Sequence, residues 1–145
     1  MPSITIGLAL TLTSVLGVST STAASMSSVI QPSLQAQTVQ ERVEEYFADE
    51  PIMIAVSRCE SHFRQYEKDG SVYRGKQNNQ DVGIMQINEK YHLETSQKLD
   101  LDIYSLDGNL AYAQYLYDKQ GTAPWSSSSA CWSKSKAAKD LALAK

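Results

Sequence analysis

Two carboxylates near the middle of this chain, Glu60 and Asp81, sit in settings that suit acid–base work. Glu60 follows Cys59 at the end of an apolar helical pattern. Asp81 stands just before the string Gly83-Ile84-Met85-Gln86-Ile87-Asn88. Cutting a bond between sugars needs a proton donor for the leaving oxygen, and something to stabilise or trap positive charge at the anomeric carbon. A glutamate kept partly dry suits the first task, because burial raises its pKa and keeps the proton on near neutral pH. A second carboxylate suits the other. Each also has a plainer reading: Glu60 as a solvated helix-end carboxylate, Asp81 as a turn residue bonding its own backbone.

Other chemistries find no complete set of residues. His62 and His92 are far apart in sequence, and the Cys59–His62 spacing is not completed into a metal site. No G-x-S-x-G or Cys-His-Asn pattern points to acyl transfer. No metal and no cofactor are expected. The two cysteines, Cys59 and Cys131, are an even pair that an oxidising compartment would join; two buried thiols are the other reading. A bridge closing so long a loop contributes roughly 3 to 5 kcal/mol on the chain-entropy account.

Taken together, Glu60-Ser61 followed by an aromatic at Phe63, then the GIMQIN string, resembles the lysozyme-like superfamily of peptidoglycan-cleaving enzymes. That superfamily includes the soluble lytic transglycosylases and the animal-type lysozymes. Asn109, Ala113, Tyr115 and Leu116 are similar, one step off in spacing, to a transglycosylase helix pattern. Gly121, Pro124, Trp125, Cys131 and Trp132 look like the closing segment of such domains. The likeness spans residues 38–133. It implies Glu60 as the acid, with Ser61, Met85, Gln86, Asn88 and Tyr115 as the further matching positions around the substrate. Gln86 offers donors and an acceptor to acetamido or hydroxyl groups, or else pins the hairpin. Asn88 is similar, or caps the next helix. Tyr115 is a cleft residue in the resemblance and a core residue by its helical spacing, and Met85 reads as packing.

Asp81 departs from the transglycosylase pattern, which has no second carboxylate there, and matches the animal-type lysozymes. One carboxylate suits attack by the substrate's own hydroxyl, leaving an anhydro sugar end; two allow hydrolysis. The resemblance thus implies a transglycosylase cleaving the β-1,4 link between N-acetylmuramic acid and N-acetylglucosamine. A hydrolytic muramidase using Glu60 and Asp81 is the second reading, and a non-catalytic glycan-binding module the third.

The elements that must position these residues are mostly helical. Thr38 caps a helix VQERVEEYFA with Val39, Val43, Tyr46 and Phe47 on one face. Asp49 as cap and Pro51 in the first turn open a second helix, whose stripe Ile52, Ala55, Val56, Cys59 and Phe63 faces a core. Asp69-Gly70 and Asn78-Asn79 mark turns of a small hairpin around Val72-Tyr73. Gly83 opens a buried helical turn carrying Ile84, Met85 and Ile87, and a helix near 91–99 follows. The longest helix runs from Leu106 to Lys119, with Leu106, Leu110, Ala113, Leu116 and Tyr117 inward and Gly121 as its stop. A short helix holds Cys131 and Trp132. The pattern predicts an α+β domain, mostly α: several helices with a small β-hairpin.

The chain has 145 residues, enough for one packed core, and 42% of them are hydrophobic. Every Asp, Glu, Lys and Arg lies at or after Glu41. Residues 1–24 read as a signal peptide: an apolar run, ITIGLALTLTSVLGV, then Thr22 and Ala24 as small residues before a cut. The run is about fifteen residues, short of the roughly twenty that span a bilayer. It lacks an N-terminal Lys or Arg, which leaves an uncleaved anchor as the alternative. Residues 25–37 read as a flexible leader, and residues 134–145 as a basic tail, a solvated helix end or a weak attractor of anionic surfaces. A net charge of −3 gives no basic face for nucleic acid. The expected protein is a secreted or extracytoplasmic monomer whose partner is the peptidoglycan glycan strand.

Overall fold

The computed structural model describes residues 36–144. The expected signal peptide and most of the expected leader therefore lie outside the described residues. Within them the chain is mostly helical, with a small antiparallel sheet. Helices α1 (Val39–Tyr46), α2 (Pro51–Ser61), α3 (Glu89–Lys98), α4 (Leu106–Gln120), α5 (Ser129–Trp132) and α6 (Lys136–Leu143) alternate with strands β1 (Asp81–Val82) and β2 (Ile87–Asn88) and a 3-10 segment, Ala123–Ser128. None of these helices is long and apolar enough to cross a membrane.

Helix α1 starts where Thr38 was expected to cap it. The Thr38 hydroxyl accepts from the Glu41 N–H, and the Glu41 carboxylate accepts from the Thr38 N–H. This capping box satisfies two otherwise orphaned groups. Val43 and Phe47 are fully buried. The cap of α2 is Glu50 rather than Asp49, and its side chain makes no capping bond. Pro51 is the reason: it occupies the first helical position and keeps the residue before it out of the helical conformation. Ile52, Met53 and Val56 carry the buried face of α2. Phe63, expected on that helix, lies beyond its end and packs partly buried against the core.

After Glu60-Ser61 the chain turns sharply. His62 and Phe63 both have positive φ, 56° and 60°, a conformation that costs non-glycine residues of order 1 kcal/mol or more each. Ser61 helps hold the turn. Its hydroxyl donates to the Ser57 carbonyl and accepts from the Arg64 N–H.

The hairpin region is a meander. Tyr66 bridges Val72, Arg74 bridges Val82, and β1 pairs antiparallel with β2 so that Asp81 faces Asn88 and Val82 faces Ile87. Gly83 does not open a helical turn. Residues 83–86 form the turn between β1 and β2, and Ile87 belongs to β2. The turn is sunk into the core, with Ile84 and Met85 fully buried, which is why its apolar spacing imitates a helix.

Helix α4 runs through the centre. Its buried residues are Asn109, Leu110, Tyr112, Ala113 and Leu116, while Leu106 and Tyr117 are only partly covered. Gly121 ends it, donating its N–H to the Tyr117 carbonyl. Cys59 and Cys131 are joined, 72 residues apart in sequence, with Cα atoms 6.0 Å apart. The bond ties α2 to α5. Helix α6, from the basic tail, is capped by Ser135 and packs Ala137, Ala138 and Leu141 against the core cluster.

Candidate functional site

A cleft lies where the end of α2, the hairpin and the 3-10 segment meet. It consists of two hollows, about 390 Å³ and about 150 Å³, whose walls share Glu60, Asp81, Gln86 and Ser127. The larger also meets Arg64, Tyr73, Lys76 and Ser128; the smaller meets Asn88, His92, Leu116 and Trp125. A bigger groove of about 900 Å³ runs beside α1, α2 and α5, past Ile54, Phe63, Trp132 and the disulfide. Neither candidate carboxylate lines it, so size alone does not locate the chemistry.

Glu60 is half-buried on the last turn of α2. Its Oε1 accepts a hydrogen bond from the Ser128 hydroxyl at 2.6 Å. Burial pushes its pKa above the ordinary carboxylate range, the Ser128 bond opposes that, and the nearby Asp81 charge pushes it further up. The Ser128 hydroxyl also lies 3.1 Å from the Trp125 carbonyl. One hydroxyl proton thus has two acceptors in reach, and the carboxylate is the nearer.

Asp81 is held by amides. Its Oδ1 accepts from Asn88 Nδ2 at 2.7 Å and from Asn78 Nδ2 at 3.1 Å. The Asn88 Oδ1 is buried and has no partner among the described residues. Asn88 stands at the start of α3 but makes no capping bond. Gln86 has a positive φ of 50° and donates from Nε2 to the Gly83 carbonyl. It therefore braces its own turn while facing the cleft. Gly75 lets the hairpin close over it: a Cβ there would lie 2.7 Å from Gln86 Oε1 and 2.5 Å from the Asn78 carbonyl oxygen.

The turn that carries Gln86 hangs from two buried polar side chains. Gln65 accepts from the Ile84 N–H and donates to the Tyr104 carbonyl. Asn109 accepts from the Met85 N–H and donates to the carbonyls of Val82 and Ile103. Trp125 completes the frame, its indole N–H donating to the Met85 carbonyl. Gly83 has to be glycine here, because its φ is 71° and a Cβ would run into the Asn109 amide.

Of the residues singled out in the sequence, Glu60, Asp81, Gln86 and Asn88 come together in the cleft. Ser61, Met85 and Tyr115 do not line it. Ser61 and Met85 are buried, and Tyr115 packs its ring 5.6 Å from that of Tyr112. Reasoning from sequence missed Ser128, Arg64 and His92 as cleft residues. His92 sits 3.1 Å from the Tyr112 hydroxyl, and burial lowers its pKa. The run of serines after Trp125 was the available signal for Ser128. Among the described residues, no group of three or more His, Cys, Asp or Glu side chains is placed to hold a metal. Comparison with family models, curated proteins and solved structures finds no match.

Proposed function

We propose that this domain is a lytic transglycosylase that cleaves the β-1,4 bond between N-acetylmuramic acid and N-acetylglucosamine in peptidoglycan. The observation that carries the reading is Glu60: a half-buried carboxyl in a cleft, its pKa raised by burial and its oxygen held by Ser128. Burial of this kind favours the protonated form that a general acid needs. In the reaction, Glu60 protonates the glycosidic oxygen as the bond to the anomeric carbon breaks. The resulting carboxylate then takes the proton from the muramic acid C6 hydroxyl, whose oxygen bonds the anomeric carbon. The products are a free 4-hydroxyl and a 1,6-anhydro end. The Cys59–Cys131 bond is compatible with an extracytoplasmic site of action.

Glu60→Gln keeps the shape but has no proton to deliver, and should lower turnover by ~10²–10⁴-fold, the usual worth of general acid catalysis. Digestion of peptidoglycan by the purified protein and by this variant, followed by mass spectrometry of the muropeptides, is the test. Retention of more than about a tenth of the activity would remove Glu60 from the mechanism.

One observation favours a second reading. Asp81 lines both hollows with Glu60, as a charge stabiliser or nucleophile of a hydrolytic muramidase would. That enzyme leaves reducing ends instead of anhydro ends, and loses on the order of a hundredfold or more in Asp81→Asn. The transglycosylase tolerates the same change within about tenfold.

A further inference from the structure

We propose that the hairpin end of the cleft holds a carboxylate of the substrate between Arg64 and Lys76. It takes the lactyl or peptide-stem acid of the glycan strand and so fixes which way the strand lies. The proposal rests on the glycan reading above.

The two hollows differ in charge. Arg64 and Lys76 both line the larger, whereas the smaller has no lysine or arginine in its wall. Among the described residues, no carboxylate lies within ion-pair distance of either cation. An unpaired lysine at a surface carries no inference by itself. Arg64 is different, because it is built in. Its guanidinium lies 4.2 Å from the centre of the Tyr73 ring, Nη2 donates to the Tyr73 hydroxyl, and Nε donates to the Ser61 carbonyl. The left-handed pair His62–Phe63 turns the chain so that Arg64 follows Glu60 into the cleft wall. The donors at Nη1 make no hydrogen bond among the described residues. A guanidinium oriented in advance loses little entropy on meeting a carboxylate, and charge-assisted bonds to it are among the stronger polar contacts.

A neutral polymer of N-acetylglucosamine has nothing for this pair to hold. A strand alternating neutral and acid-bearing sugars does. Glu60 lines both hollows, so the acid-bearing sugar at the Arg64 end leaves its neutral neighbour over the smaller hollow, which Leu116 and Trp125 line.

The experiment uses the full chain carrying Glu60→Gln, so that ligands bind without being cut. Titration calorimetry at low salt compares three probes: a soluble peptidoglycan fragment with free carboxylates, the same fragment with those carboxylates amidated, and chitotetraose. The free acid should bind about tenfold tighter than its amide. Adding Arg64→Gln or Lys76→Gln should close most of that gap and leave the two neutral probes within about twofold. Lys76→Gln serves alone if Arg64→Gln unfolds, because Lys76 takes no part in the Tyr73 and Ser61 bonds. Equal binding of acid and amide overturns the carboxylate site, as does a gap that survives both substitutions. In either case binding of chitotetraose leaves the glycan reading standing. Failure of all three probes to bind overturns the proposal and that reading together.

Discussion

Glu60 and Asp81 face the same hollows from walls built in different ways. On the α2 side, Ile52, Met53 and Val56 join Val43 and Phe47 in the apolar core, and α2 packs against α1, α5 and α6. Apolar contacts of this kind are non-directional, and many sequences of similar volume satisfy them. On the hairpin side the strands are two residues long, too short to fix a turn by their ladder. The turn is placed instead by particular donors and acceptors: Gln65 on Ile84, Asn109 on Met85 and Val82, Trp125 on Met85. One wall thus tolerates change in shape, and the other depends on the identity of a few buried amides.

The largest effect that would separate the two walls is expected from Asn109→Leu. It keeps roughly the volume but strips the Val82 and Ile103 carbonyls of their donor and the Met85 N–H of its acceptor. Each of these three buried groups left unpaired costs ~1–3 kcal/mol, so the total is at least about 3 kcal/mol. Leu116→Met, on the same helix and also buried, should cost less than about 1.5 kcal/mol. Denaturant unfolding of the two variants measures the contrast. If they lie within about 1 kcal/mol of each other, the hairpin wall is held by packing after all.

The disulfide belongs to the helical wall and sharpens the comparison from that side. It joins the residue before Glu60 to α5, which directly follows the 3-10 segment ending in Ser128. Replacing both cysteines with alanine should cost about 2–4 kcal/mol, the common range for such bonds. The amides that hold the hairpin turn are untouched by the change. Thermal unfolding should therefore show a clear loss, while activity per folded molecule falls far less. An equal loss in both would mean that the bond sets the geometry of the site as well as stability.

The same contrast explains what was legible in the sequence. The helical wall follows period and caps, so α1, α2 and α4 are read from Thr38, Pro51, Gly121 and the spacing of apolar residues. The grouping of Glu60 and Asp81 with Gln86 and Asn88 in one cleft is readable from their residue types and motif spacing. The hairpin wall is not readable in that way. Hydropathy places Gln65 and Asn109 on the surface, yet both are buried, because the turn they hold has no ladder of its own. Ile84, Met85 and Ile87 share helical spacing, but the turn that carries the first two is buried as deeply as a helix would be. Ser128 reaches Glu60 across 68 residues of sequence. Only the folded chain brings a serine from a run of serines to that carboxylate.

The smallest effect comes from the two neighbours that Glu60 takes from opposite walls, and it has a sign for each. The first step of the proposed reaction needs Glu60 protonated, so activity should fall as pH rises through its pKa. Ser128, from the 3-10 segment on the helical side, donates to the carboxylate and favours the charged form. In Ser128→Ala that support is gone, Glu60 holds its proton to higher pH, and the alkaline limb of the rate profile should move up. Asp81, from the hairpin side, places a negative charge near Glu60 and favours the neutral form. In Asp81→Asn the limb should move down. Profiles of turnover against pH for the two variants and the unaltered protein read both shifts, independently of any overall loss of rate. Shifts of opposite sign mean that the two walls tune one acid between them. Limbs that stay in place in both variants would mean that burial alone sets the proton on Glu60, and that Ser128 and Asp81 act only on geometry; movement of both in the same direction would overturn the opposed tuning.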